Sequence, residues 1–275
     1  MAEKDQKGVI ILTYIDKGDP VQLLGDDFYK REKTRIELFS IEENKVIYEN
    51  IYKFKKEGEN KVKLKLKGNI YNFRGFFKDC NLLLNIDGCL DVSNATNFTF
   101  MFYKCSSLKK IEGLKHWDVS LSREFAYMFR DCSVLQNIED IGNWNVSKST
   151  EFAGMFSGCS SLQNLDFLTN WDVSKGINFD FMFSDCSSLQ NIEGIKNWNV
   201  QISINFGGMF NNCSLLKDIE PLKNWNVNNG NNFAHMFNGC SSLENLNGIK
   251  NWNVNNGNNF ENMFSGCSSL EDLMA

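Results

Sequence analysis

Nine cysteines are the most reactive side chains in this sequence, and seven of them, Cys105, Cys132, Cys159, Cys186, Cys213, Cys240 and Cys267, recur at one constant interval. Thiols do chemistry as thiolates, in metal sites or redox pairs, and both uses gather two or more at short spacing. A Cys-x-x-Cys pair occurs nowhere, and one thiol per copy has the spacing of a structural repeat. Each of these cysteines stands three residues before a leucine, a place suited to a small apolar side chain, so a buried ladder of thiols is expected. The two histidines, His116 and His235, occupy variable positions of the repeat. No nucleophile stands beside a base, and no glycine loop or carboxylate set has the spacing for phosphate or metal. The sequence therefore predicts no catalytic residue, no metal and no cofactor.

Two further columns could recognise a partner. The six tryptophans, Trp117 to Trp252, recur at the interval of the cysteines. They could stack a ligand, but each precedes an inward valine by two residues, which predicts a core wall. Burying a large apolar side chain is worth about 1.5–3 kcal/mol, reason enough for its repetition. Asp87, Glu112, Glu139, Asp166, Glu193 and Glu220 form an acidic column, with Lys115, Lys196 and Lys223 three residues later on some copies. Like charges stacked across a sheet repel. The column reads either as a solvated face or as a stripe that receives a basic protein partner or a cation, and its six carboxylates are the candidate partner-binding residues.

The elements that position these columns follow from the period. In the copy beginning at Cys132 the apolar frame is Leu135, Ile138, Ile141, Trp144, Val146, Phe152, Met155, Phe156 and Cys159. A fixed period of this length signals units that stack. The Phe-x-x-Met-Phe spacing predicts a short helix, with apolar residues at i, i+3 and i+4. "LQNIEGI" predicts a short strand, and "NWNVS" alternates as an extended piece. The asparagine columns, Asn143 to Asn251 and Asn137, Asn164, Asn191 and Asn245, are expected to hydrogen-bond along the stack.

Residues 1–68 show no repeat and hold short β-rich runs, which predict a small N-terminal capping domain over the end of the stack. In "KVKLKLKG" Lys61, Lys63, Lys65 and Lys67 share one face, which reads as a lysine-protected edge strand rather than a nucleic-acid site. The fold class expected is a leucine-rich-repeat-like solenoid over 69–275, about eight coils with a degenerate first and an incomplete last. Each coil would supply a short parallel β-strand and a short helix, behind the β-rich cap.

The frame "FxxMFxxCSSLxxIxxIxNWNVS" resembles the BspA-like leucine-rich-repeat proteins, and within them the bacterial surface-protein repeat, or mycoplasma-type domain of unknown function. "MFSDCSSLQNIEGIKNWNV" (Met182–Val200) matches the "MFxxCxSL…L…NWDTSNVTNM" pattern of that family. The resemblance implies a solenoid with a role in adhesion or protein binding, and it carries no catalytic residue over to this chain. At Asn228–Phe233 the family's "SNVTNM" is replaced by "NNGNNF", so a buried valine gives way to Gly230.

A formal charge of −5 argues against general nucleic-acid binding. The apolar run Val9 to Leu12 is too short for a signal peptide or a membrane span, and no later stretch approaches a transmembrane length. A cytoplasmic scaffold that binds a protein partner is expected, without nucleic acid, membrane span or cofactor. The alternatives are a surface adhesin, if the chain is part of a longer one, and a structural subunit that self-assembles through its C-terminal edge.

Overall fold

Alternating apolar and polar residues build the N-terminal strands. The computed structural model, which describes residues 8–136 and 138–270, places them in one mixed sheet. Strands β1 (Val9–Asp16), β3 (Ile36–Ser40), β4 (Lys45–Ile47), β6 (Gly58–Leu66), β7 (Leu83–Gly88) and β8 (Lys110–Ile111) lie in the order β4-β3-β6-β1-β7-β8. A separate pair joins β2 (Val21–Gln22) to β5 (Ile51–Tyr52). Neighbours in the large sheet are antiparallel except β7 and β8. Its inner face is core, with Ile10, Leu12, Tyr14, Leu38, Val62, Leu64 and Ile86 buried.

Two expectations change here. β6 is paired on both sides, to β3 and β1, so its lysines do not guard an edge. Alternation fixes the two faces of a strand but not its place in the sheet. The boundary at residue 68 falls inside the sheet, because β7 and β8 continue it past that point. The single α-helix among the described residues, α1 (Asp26–Glu32), has acids in its first turn and bases in its last, complementing its dipole. It buries Phe28 against Phe73 and Phe76, with ring centroids 6.2 and 4.3 Å away. Just before it, Gly25 donates its N–H to the Phe76 carbonyl. A Cβ on Gly25 would lie 1.9 Å from the Gly75 oxygen, so only glycine fits this approach.

Beyond residue 70 the backbone bonds recur in one register. Phe98, Phe125, Phe152, Phe179 and Phe206 each donate to a carbonyl of the following copy, at Glu124, Glu151, Asn178, Asn205 and Asn232. Parallel bridges run Asn72↔Asn97, Asn97↔Glu124, and so on to Asn232↔Asn259. Each copy is thus a rung lying on the next. Two columns of Phe rings stack between rungs, for example Phe152 on Phe179 at 5.4 Å and Phe156 on Phe183 at 5.8 Å. Trp144 on Trp171 at 6.4 Å belongs to a third column.

The Phe-x-x-Met-Phe segment is not a helix. Met101 donates to the Phe98 carbonyl and Cys105 to that of Phe102, closing two successive four-residue turns. The third residue of each turn is left-handed, Phe100 at φ 58° and Lys104 at φ 59°. Every second N–H is thereby left to reach the next rung, which a helix would have used internally. "LQNIEGI" holds a 3-10 turn, Glu193–Ile195, rather than a strand. The side chains of Asn164, Asn191, Asp218 and Asn245 start such turns by accepting the N–H two residues on. These asparagine side chains therefore bond within their own rung; Asn137 lies outside the described residues. Asn178 and Asp172 pin two more corners of the same rung in the same way. The chain needs these bends to return over itself once in every copy.

Gly230 is explained by its neighbour. A Cβ there would sit 2.4 Å from the Phe233 ring, so phenylalanine in place of methionine fills the room of the lost valine.

Candidate functional site

The reactive side chains point inward. Cys80 and the column from Cys105 to Cys240 are buried, while Cys267 is half-buried. Each thiol from Cys132 onward donates to the carbonyl of a phenylalanine on the preceding rung, as Cys132 does to Phe102 at 3.1 Å and Cys186 to Phe156 at 3.2 Å. Burial pushes the thiols of Cys105, Cys132, Cys186 and Cys213 well above their ordinary range, and those of Cys159 and Cys240 up to about 12. A thiol held protonated is neither a nucleophile nor a metal ligand. Among the described residues no group of three or more His, Cys, Asp or Glu is placed to hold a metal ion.

The indoles follow the same rule. Trp144, Trp171 and Trp225 donate Nε1–H to the carbonyls of Leu114, Ile141 and Ile195, again on the rung before. Trp117 differs, because the strand β7 lies where later rungs place a 3-10 turn, and its buried Nε1 has no acceptor. With faces stacked and N–H groups used, this column forms a wall of the core.

The acidic column lies on successive rungs. Asp87 is on β7, Glu112 follows β8, and Glu139, Asp166, Glu193 and Glu220 each open a 3-10 turn. A carboxylate there faces the positive end of the turn. Lysines meet several of them within the rung: Lys110 with Glu112 at 2.7 Å, and Lys196 with Glu193 and Lys223 with Glu220 at 3.0 Å. These pairs are half-exposed, so solvent screens them and they add little to stability. Thr169 replaces the lysine after Asp166 and donates its hydroxyl to the Asp166 backbone carbonyl.

One surface escaped the sequence reading. The outer corners of the Phe-x-x-Met-Phe turns carry Phe100, Tyr103 and Tyr127 beside Arg74 and Arg130. Its signal was a column that mixes rings at Phe100, Tyr127 and Phe181 with glycine at Gly75, Gly154 and Gly208.

Among the described residues no helix is long and apolar enough to cross a membrane. No curated protein and no solved structure matched the chain. The family described as "Mycoplasma protein of unknown function, DUF285" matches it twice, over residues 71–192 and 177–274, which together take in every rung with the thiol, indole and phenylalanine columns. The two matches cover well over half of the chain, and the chain belongs to the Mycoplasma DUF285 family.

Proposed function

We propose that this chain is a non-catalytic protein-binding module, a leucine-rich-repeat-like solenoid of BspA type whose solvent-facing columns receive a protein partner. One observation carries the reading. On rung after rung the thiol and the indole are turned inward and bonded to backbone, while the residues that differ between copies face outward. Chemistry needs a constellation once; a contact surface gains from repetition, because each rung adds a similar patch in register.

The acidic column from Asp87 to Glu220 is the proposed contact, fitted to a basic partner surface. Its spacing follows the rungs, which in a parallel sheet stand about 4.8 Å apart, so a partner meets it with a row of basic side chains rather than a single one. Exchanging Glu139, Asp166 and Glu193 for lysine tests it. Proximity labelling in cells with the native chain is expected to enrich a defined partner that the triple variant loses, while its thermal unfolding remains cooperative and falls only slightly. Labelling that enriches the same proteins for both chains overturns the acidic contact.

A further inference from the structure

The cation-and-ring surface on the first rungs is not required by the stack. The third residue of the first turn is left-handed on every described rung, and glycine fills it at Gly75, Gly154 and Gly208. A side chain is strained there relative to glycine. Phe181, His235 and Asn262 also occupy it, but only Phe100 and Tyr127, both at φ 58°, place rings there on adjacent rungs. Their rings lie flat on each other, 5.0 Å apart and 8° from parallel. Stacking gains of this kind are similar in size to the backbone strain, so stability does not account for the rings.

Cations surround them. The Arg74 guanidinium lies 4.8 Å from the Phe100 centroid, and that of Arg130 lies 5.6 Å from Tyr127. Tyr103 stands edge-on to Phe100 at 5.4 Å, with Lys104 at 5.2 Å, Arg130 at 5.9 Å and Lys78 at 6.0 Å from its ring. An aromatic ring is negative on its face and positive at its edge. Here Phe100 and Tyr127 cover one face of each other and arginines lie over the rings, which leaves the positive edges as the part a partner could meet. Asp79 and Asp131 offset part of this charge, at 3.9 Å from Lys78 and 3.7 Å from Arg130, beyond hydrogen-bond length. The buried Nε of Arg130 has no hydrogen-bond acceptor. On the next rung the equivalents of Tyr127, Arg130 and Asp131 are Gly154, Ser157 and Gly158, so the surface is confined to the start of the stack.

We infer that this face docks an acidic peptide segment of a partner protein that also bears an aromatic side chain. Its carboxylates meet Lys78, Lys104 and Arg130, and its ring lies against the edges of Phe100 and Tyr127. The inference rests on the protein-binding reading but uses a different face, of opposite charge, from the acidic column.

The test uses the full chain and a fluorescein-labelled peptide repeating Glu-Glu-Phe, followed by anisotropy. Peptides repeating Lys-Lys-Phe and Glu-Glu-Ala serve as controls. The first peptide is expected to bind at least about tenfold more tightly than either control. Phe100→Gly with Tyr127→Gly places in the column the residue other rungs already use, and it is expected to weaken binding about tenfold with unchanged thermal unfolding. Lys78→Ser with Arg130→Ser is expected to weaken it similarly and to flatten its dependence on salt. The triple lysine variant of the acidic column leaves this binding intact, so failure there and failure here are separate results. Equal binding of all three peptides, or native affinity in both double variants, overturns the inference. So does light scattering that finds a second copy of the chain on this face, lost in the variants and not displaced by peptide.

Discussion

A carbonyl at the end of a turn has two lone pairs, and here both are used. The Ile141 oxygen accepts the Trp144 N–H of its own rung at 3.0 Å and the Trp171 indole of the next at 2.9 Å. The Phe102 oxygen accepts Cys105 N–H and the Cys132 thiol in the same manner, each at 3.1 Å. Donor-bearing side chains thus serve as cross-links between rungs, which predicts an asymmetry among the tryptophans. Trp171→Phe removes a made hydrogen bond, whereas Trp117→Phe removes a buried donor that has no acceptor. The first is expected to lower stability by about 1 kcal/mol more than the second, read as urea midpoints at equal m-value. Asp180 supplies a pH dependence. Desolvation, then the neighbouring Glu151, raise its carboxyl to about 6 against a hydrogen bond from Asn205. A raised carboxyl contributes stability while protonated and loses it as pH rises through about 6. Asp180→Asn is therefore expected to be more stable than the native chain near pH 8, by about 1 kcal/mol after solvent screening. The two should converge below about pH 4, and a constant difference across that range would remove Asp180 as the cause. The inward direction of thiols and indoles was legible in the sequence, because only the core holds Cys132, Trp144 and Phe152 to one register. Their acceptors were not, since a bond to the preceding rung depends on how the corners turn.

At the scale of the element, spacing was legible and conformation was not. Phe152, Met155 and Phe156 share a face in a helical turn and equally in two successive tight turns. The distinguishing mark lies in the residues between and just beyond them: Gly154 and Gly158 hold left-handed backbone at φ 57° and 74°. Glycine recurring at those two places indicated a chain that must turn the other way. The 3-10 turns carry a similar mark. Gly194 lies against the rung before it, where a Cβ would come within 1.8 Å of the Leu165 oxygen. Gly194→Ala is expected to cost roughly 2–4 kcal/mol, because the obstacle is backbone and cannot rotate aside. Gly58→Ala meets no atom within 4 Å and bears only the strain of its φ of 102°. It should cost about 1–2 kcal/mol, and equal thermal shifts for the two variants would contradict the close-packing account. The acidic column was visible as a pattern at Glu139, Asp166 and Glu193. So were Lys196 and Lys223 three residues on, whereas the pairing of Glu112 with Lys110, and the ring column at Phe100 and Tyr127, needed the corners to be placed first.

For the whole molecule, the sheet and the stack are one piece. β7 pairs with β1 on one side and β8 on the other, so the first rungs are held by an antiparallel sheet and α1 together. Phe28 covers Phe73 and Phe76 as a further ring would. Farther along, a rung is secured only by its two neighbours, as in other linear arrays. Phe260 is 41% exposed although its equivalents Phe206 and Phe233 are fully buried. Amide hydrogen exchange is expected to be slowest for the inter-rung donors Phe152, Phe179 and Phe206 and faster by an order of magnitude or more from Asn259 to Leu270. Uniform protection across those amides would mean that the array opens only as a unit.

The cross-links also have a direction. In the Phe-x-x-Met-Phe segment main-chain N–H groups reach forward to the following rung, while indoles and thiols reach back to the preceding one. A ribosome delivers the rungs in that same order. Each newly made rung finds the acceptors for its Trp and Cys already fixed, and brings with it the carbonyls that the previous rung still lacks. The chain can therefore close progressively during its own synthesis, one rung at a time, without waiting for its far end.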